Sequence, residues 1–253
     1  TPRVVQVGNP ELKPQFTNSL ELNYTKILGV KGSVTFGTYY RMIDAPIERT
    51  FYLDTSTPEA IAEKKMVMSY GNFDESTAYG AEVSANYKVT KWWDAQPSVE
   101  YYFRNQRGVV TVLNPNTNEG ELQQREIDNG VFNARLNNNF KITNQLRASL
   151  FGFYRGVSKD ITGQMNPMYK MDLGVRYSFW ENSANLSVRF NDVFNTMKAS
   201  FEGNAPYRQT GEFTWESQSL FVGFQYTFGT QKNRALQRKY RENNEVQKSG
   251  GFF

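Results

Sequence analysis

Nine segments of this chain alternate apolar and polar side chains residue by residue, and the charged residues within them all fall on the polar side. Phe36 and Tyr40 share the apolar side of one segment, for example, whereas Arg41 lies on the other side. A strand points successive side chains to opposite faces, so the pattern predicts one lipid-facing and one water-facing surface. A charge on the lipid face would cost about 2–4 kcal/mol at the middle of a bilayer. The alternation therefore predicts an all-β fold, a transmembrane antiparallel β-barrel.

The connections between these segments are short and long in turn. We predict strands at about Phe16–Tyr24, Gly32–Met42, Tyr79–Val89, Pro97–Arg104, Phe132–Lys141, Leu146–Arg155, Tyr169–Phe179, Ala184–Phe190 and Leu220–Phe228. Short turns are expected near Gly29, Trp92, Asn144 and Glu181, and long connections at Asp44–Tyr70, Gln106–Asp128 and Asn191–Trp215. Bacterial barrels place short turns in the periplasm and have even strand numbers, so nine strands predict a piece of a larger barrel.

A soluble β-sandwich is the alternative fold, because its strands also alternate apolar and polar residues. The predicted strands run to about 8–11 residues, which is near transmembrane length, whereas globular strands have about 5–6 residues. The lopsided connections and the Tyr and Trp residues near strand ends also favour the barrel. Trp92 and Trp93, which are adjacent at a short turn, fit an anchor at the membrane interface.

The chain contains no cysteine and no histidine. Disulfides, thiol nucleophiles, Cys/His metal sites and Ser-His-Asp triads are therefore excluded. We predict no catalytic residue, no metal site, no cofactor and no enzyme activity. The formal net charge of +4 arises after Phe228, and the remainder carries no basic stripe, so a nucleic-acid partner is not expected.

Four motifs, in this order and spacing, resemble those of TonB-dependent receptors. Asn9–Pro14 is similar to an "NP-x-LKP" stretch, and Tyr79–Tyr87 to a "YG-x-E" strand. Asn191–Thr196 resembles an "N-L/V-F-N" motif after the penultimate strand. Leu220–Phe228 resembles the terminal aromatic strand, whose Phe224, Tyr226 and Phe228 would be the signal for the barrel-assembly machinery. The charged extension that follows is similar to the outer-membrane β-barrel family of Bacteroidota.

The resemblance implies that residues 1–229 are the C-terminal portion of an outer-membrane barrel, about the last nine of 22 strands. A signal peptide, a TonB box and an N-terminal plug domain would lie upstream. We predict that residues 230–253 form a basic, disordered periplasmic tail, which could dock a partner.

Charged residues of the polar side are predicted to face the lumen and to contact a plug or a ligand. They are Arg41, Glu82, Glu100, Arg104, Arg135, Arg147, Arg176 and Arg189. Ion pairing among themselves is the structural alternative, and catalysis by the Glu82 and Glu100 carboxylates is discounted. Loops on a rigid scaffold commonly carry function. Ligand contacts are therefore also expected at Asp44–Met66, Gln106–Asp128 and Met197–Trp215, with stacking surfaces on Tyr207, Phe213 and Trp215.

Two functions remain open for a multi-pass barrel of the bacterial outer membrane. The favoured one is a TonB-dependent transporter that imports a metal chelate, glycan or peptide. Its partners would be outer-membrane lipid, the plug, a TonB-type energy transducer and a surface lipoprotein. The alternative is a receptor-like barrel that acts as a structural subunit of a secretion or protein-assembly complex, together with other outer-membrane subunits.

Overall fold

The computed structural model describes residues 4–63, 65–114, 116–117 and 119–228. The chain is built almost entirely from strands, with one short α-helix and a 3-10 turn at Gly29–Lys31 within these residues. The elements are β1 (Val4–Gln6), β2 (Phe16–Ile27), β3 (Gly32–Asp44), β4 (Ile47–Leu53), α1 (Pro58–Ala62), β5 (Met66–Asn72), β6 (Glu75–Lys88), β7 (Trp93–Leu113), β8 (Gly120–Lys141), β9 (Leu146–Arg155), β10 (Ser158–Asp160), β11 (Gly163–Met165), β12 (Met168–Phe179), β13 (Ala184–Asn191), β14 (Lys198–Gly203), β15 (Gln209–Thr214) and β16 (Ser219–Tyr226). The predicted tail, residues 230–253, lies outside the described residues.

Nine strands form one antiparallel sheet, in the order β16-β13-β12-β9-β8-β7-β6-β3-β2. We call it the membrane sheet, because its strands are the ones predicted to span the membrane. Each strand pairs with the sheet strand before it and after it along the chain. Within the described residues, β2 and β16 do not pair with each other, so the sheet is open and has two edges. The prediction of nine antiparallel strands is confirmed, and the predicted alternation of short turns and long connections holds except between β7 and β8.

In every strand pair of this sheet, residues of one face are paired with residues of the same face. One row of directly paired residues runs through Thr38, Ala81, Tyr101 and Phe132, and another joins Tyr177, Leu186 and Phe224. We call this side the apolar face and the opposite side the polar face. The phase predicted for each strand agrees with these pairings, because a slip of one residue would move every side chain to the wrong face.

The prediction of a long polar loop at Gln106–Asp128 is wrong. The β7 strand continues to Leu113 and β8 begins at Gly120, so the two strands pair far beyond the rest of the sheet. The apolar pattern changes sides along this extension: Val110 is buried on the polar face, whereas Arg107 lies on the apolar face. The reversal has a physical cause, because this part of the hairpin has water rather than lipid on its outer side and packed loops on its inner side.

The connections from β3 to β6, from β9 to β12 and from β13 to β16 fold, together with the segment before β2, into two small sheets, which we call the cap. One has the order β1-β5-β4 and the other β10-β11-β14-β15. Asn9 and Lys13 of the "NP-x-LKP" stretch fasten the chain to β5. The side-chain amide of Asn9 donates to the carbonyl of Tyr70 at 2.9 Å, and Asn72 exchanges two hydrogen bonds with the backbone of Lys13. This motif therefore holds the first sheet of the cap in place.

The apolar face has a distinct boundary at each end of the strands. At the short-turn end, Trp92 lies 6.0 Å from Phe140 and Trp180 lies 5.8 Å from Tyr226, measured between ring centroids. At the other end, a row of directly paired charged residues crosses four strands: Asp44, Glu75, Arg107 and Glu126. Ten residues of a strand tilted by about 40° rise about 25 Å, which matches the apolar band of an outer-membrane barrel. In the part of the chain that the structure describes, no helix has the length and apolar character needed to cross a bilayer.

Candidate functional site

The eight charged residues predicted to face the lumen all lie on the polar face. Their pairings place them on seven strands: Arg41 on β3, Glu82 on β6, Glu100 and Arg104 on β7, Arg135 on β8, Arg147 on β9, Arg176 on β12 and Arg189 on β13. The sheet separates their charges, because the carboxylates lie on β6 and β7 and most of the guanidinium groups lie from β8 to β13.

The acidic half of the polar face is organised around Glu100. Glu82 and Glu100 are directly paired across β6 and β7. Glu100 accepts hydrogen bonds from the Tyr39 hydroxyl at 3.1 Å and from the Asn133 side-chain amide at 3.0 Å, and Glu82 accepts one from Ser98 at 3.3 Å. The two carboxylates are therefore held by donors from β3, β7 and β8, and form a hydrogen-bonded structural network across the sheet.

Arg41 and Arg104 each contact a carboxylate, with different consequences. Arg41 lies 3.6 Å from Glu21, and both side chains are about half exposed, so this pair contributes little to stability. The Arg104 guanidinium donates to Glu48 of β4 at 2.6 Å and to the Ser76 hydroxyl at 3.2 Å. Arg104 thereby joins the membrane sheet to the cap.

The cap packs against the polar face of the extended β7–β8 hairpin. Its small core consists of Phe73, Val110, Ile161 and Ala205, each at most 5% exposed. Phe73, Ile161 and Ala205 come from three different long connections, and Val110 comes from the hairpin. The cap is consequently an ordered structure that folds over one end of the polar face.

Gln106 lies at the centre of this contact and was not singled out by its sequence. Its side chain is fully buried, donates to Glu48 at 3.2 Å and accepts from the backbone N–H of Ile161 at 3.3 Å. One amide therefore links β4, β7 and the β10–β11 turn. The signal in the sequence was a polar residue at a polar-face position that precedes the apolar run Val109–Leu113.

A cleft of about 470 Å³ opens beside the hairpin. Its lining carries both charges and several amides: Gln124, Arg125, Glu126, Ile127, Lys159, Asp160, Ile161, Gly163, Gln164 and Asn204. Such a lining can donate and accept many hydrogen bonds but offers little apolar surface. Among the described residues, no group of three or more acidic side chains is placed to hold a metal ion.

The three predicted stacking residues of the last long connection do not line this cleft. Phe213 stacks on Phe201 at 6.0 Å between centroids and remains largely exposed. Trp215 is also exposed, and Tyr207 is half-buried in the β14–β15 connection. The structure therefore presents them as separate surface aromatics rather than as one binding platform.

Asp192, in the "N-L/V-F-N" motif, is a fully buried carboxylate. It accepts hydrogen bonds from the backbone N–H groups of Thr196 at 2.9 Å and Met197 at 3.0 Å, and from the Ser217 hydroxyl at 2.5 Å. Burial acts to raise the pKa of Asp192, but these hydrogen bonds outweigh it and lower the pKa below its ordinary value of 3.8. The motif therefore ties the start of the last long connection to its end.

Two further motifs of the sequence have a clear structural role. In the "YG-x-E" strand, Gly80 is paired with Tyr102, and a Cβ at Gly80 would lie 2.5 Å from the Cβ of that tyrosine. A larger residue cannot be accommodated there without moving β7. On the last strand, Phe224 and Tyr226 lie on the apolar face, and the ring of Phe228 packs edge-on to Tyr226 at 4.5 Å.

Two comparisons bear on this arrangement. A protein-family model described as "Outer membrane protein beta-barrel family" matches residues 1–226. No curated protein matches the chain.

Proposed function

Because the chain belongs to the outer membrane protein β-barrel family, and is thus a bacterial outer-membrane protein, we propose that it forms part of a TonB-dependent transporter of the Bacteroidota type. In this proposal its nine strands are about the last of 22, a plug domain fills the lumen, and the polar face contacts the plug or the ligand. The cargo would be a nutrient too large for a porin, such as a metal chelate, glycan or peptide.

One observation carries the proposal: the cap is an ordered structure that folds over the polar face at the long-connection end. Its core draws on three connections and the β7–β8 hairpin, and the salt bridge between Arg104 and Glu48 fixes it to the membrane sheet. Binding sites are commonly concave surfaces formed by loops on a rigid scaffold. A preformed cap with a polar cleft suits the capture of a solute before it passes through a barrel.

The proposal is tested by growth of the native host under limitation of one nutrient at a time. Strains with and without the gene are compared in media limited for chelated iron, for polysaccharide and for peptide. Deletion is expected to slow growth and reduce the cell-associated nutrient in one of these media. The wild-type gene should restore both, and inactivation of the TonB-type transducer should abolish the restoration.

The alternative role, as a structural subunit of an outer-membrane complex, predicts a different result. Deletion would then leave growth unchanged in all three media, and the protein would copurify in mild detergent in a fixed ratio with other barrels. That pair of results would replace the transporter proposal. Copurification with one surface lipoprotein, together with a nutrient-specific growth defect, supports the transporter proposal.

A further inference from the structure

Three arginine residues lie together on the polar face, two of them near the short-turn end and the third near the middle of the sheet. Arg147 of β9 and Arg176 of β12 are directly paired. Arg189 of β13 is the diagonal neighbour of Arg176, because Arg176 is paired with Ser187, two residues away. All three side chains are exposed. Like charges directly opposite each other in a sheet destabilise it, so the arrangement has a cost that the rest of the face does not explain.

The described residues contain no carboxylate within 4 Å of Arg147, Arg176 or Arg189, whereas Arg41 and Arg104 each have one. The acidic residue of this region on the polar face is Asp172, which is already engaged. It forms a salt bridge with Lys170 at 2.9 Å and accepts the backbone N–H of Asp192 at 2.8 Å. The three guanidinium groups therefore share an unneutralised positive field.

The floor between these arginines is made of small residues: Ser149, Gly174, Ser187 and Gly223. A Cβ at Gly174 would lie 2.5 Å from the Ser149 hydroxyl oxygen, so glycine leaves that floor open. Together the arginines and the floor line an open concavity of about 590 Å³, which has room for a small polyanion.

Two of the three guanidinium groups are oriented before any ligand arrives. Arg176 donates from Nε to the side-chain oxygen of Asn185 at 3.2 Å. The Cζ atom of Arg189 lies 5.3 Å from the centroid of the Phe221 ring, which is itself half exposed on this polar face. Orientation of the side chains lowers the entropy that binding must overcome.

We propose that Arg147, Arg176 and Arg189 form a binding site for a small multivalent oxyanion, a polycarboxylate or a polyphosphate. Guanidinium groups form forked hydrogen bonds to both kinds of oxyanion. The acidic half of the same face, with Glu21, Glu82 and Glu100, would repel such a ligand, so the site is confined to the strands from β9 to β16. This site extends the proposed function and does not depend on transport.

The test is calorimetric titration of the purified native protein, in detergent at pH 7 and constant ionic strength, with pyrophosphate and separately with citrate. Arg147→Gln and Arg176→Gln each remove one guanidinium of the site and are expected to weaken binding about tenfold. The matched control is Lys88→Gln, which removes one exposed positive charge from the same face, at a β6 position directly paired with Asp94. Its affinity should equal that of the wild type.

Circular dichroism and heat-dependent gel mobility establish that each variant is folded. Arg176→Lys keeps the positive charge but cannot form the paired hydrogen bonds of a guanidinium to an oxyanion, so an intermediate affinity is expected. Tighter binding of pyrophosphate than of citrate assigns phosphate as the ligand chemistry, and the reverse assigns carboxylate. The proposal is overturned if neither probe binds the folded wild-type protein, or if Lys88→Gln weakens binding as much as Arg176→Gln.

Discussion

At the scale of single residues, Asp192 shows how a buried charge can order a long loop. Its carboxylate accepts hydrogen bonds from four donors of Thr196, Met197 and Ser217, at both ends of the connection between β13 and β16. Its own backbone N–H donates to the Asp172 carboxylate. A buried carboxylate is tolerated when donors replace the water it has lost. Here the replacement also defines where the loop begins and ends.

Replacement of Asp192 by Ala should release this connection. The Thr196 and Met197 N–H groups and the Ser217 hydroxyl would lose their acceptor, at a cost of about 3 kcal/mol in local stability. Protease cleavage within residues 197–216 of the folded protein should then accelerate, while cleavage elsewhere stays slow. Asp192→Asn, which keeps the shape and one acceptor oxygen, should show a smaller increase. Equal cleavage rates in Asp192→Ala and the wild type would mean that the carboxylate does not hold the loop.

The same residue gives the connection a defined pH dependence. Because the folded-state pKa of Asp192 is lowered, the stabilisation is complete above its ordinary value of 3.8 and is lost as the pH falls through the lowered folded-state value. Protection of residues 197–216 against an acid-active protease should therefore decline below about pH 4. Asp192→Asn should be insensitive over that range.

Among the elements, the β7–β8 hairpin alternates apolar and polar residues along its whole length, although lipid surrounds one part of it and water the other. Up to Phe103 its apolar side chains face outward, and beyond Arg107 the buried ones, such as Val110, face inward. Two neighbouring valines show the change: Val110 is 3% exposed and Val109 is 40% exposed. The hairpin is continuous, but its apolar side faces outward where lipid surrounds it and inward, toward the cap, where water does.

This pair of valines allows a matched test of the cap. Val110→Asp buries a charge in the core formed with Phe73, Ile161 and Ala205, which should cost at least about 3 kcal/mol. Val109→Asp places the same charge in water and should be nearly neutral. Hydrogen exchange at the backbone of residues 158–165 should accelerate strongly in the first variant alone. Similar exchange in both variants would show that the cap does not depend on this core.

The strands were predictable from the sequence because lipid and water impose opposite demands on alternate residues. Phase followed from residues such as Phe36 and Arg41, and the register agrees with it. The extension of the hairpin was missed because the apolar residues change there from the outward to the inward side of the strand. The segment Val109–Leu113 is nevertheless rich in β-branched residues, which favour strands. The link from Glu48 to Arg104 and Gln106 was not predictable, because partners more than fifty residues apart leave no local pattern.

At the scale of the whole molecule, the boundaries of the apolar face define its position in the membrane. Aromatic residues mark the short-turn end, and the row from Asp44 to Glu126 marks the end that carries the cap. Since bacterial barrels keep short turns in the periplasm, the cap is expected on the cell surface.

Single cysteines can test this orientation, since the chain has no cysteine of its own. Asn116→Cys lies at the tip of the β7–β8 hairpin and Lys91→Cys lies in a short turn, and both positions are exposed. A maleimide that cannot cross membranes should label the first in intact cells, and the second only after the outer membrane is permeabilised. The opposite labelling pattern would invert the orientation.

Two neighbouring positions of β6 test which face meets lipid. Val83 lies on the apolar face between Phe36 and Val99, and Ser84 lies on the polar face. Val83→Arg should lower the free energy of unfolding in lipid vesicles by about 2–4 kcal/mol, whereas Ser84→Arg should change it little. Urea-induced unfolding followed by tryptophan fluorescence measures both. A greater loss for Ser84→Arg would exchange the two faces.

The chain-order pairing of the sheet implies an order of assembly. Each strand needs only an adjacent hairpin as its template, so the membrane sheet can grow by successive local additions, each closing a modest loop. Phe73, Val110, Ile161 and Ala205 have no such neighbours in sequence and meet only when β6 to β13 are in place. The cap should therefore fold last. The moment at which its backbone amides become protected against hydrogen exchange would then show when the strands beneath it are complete.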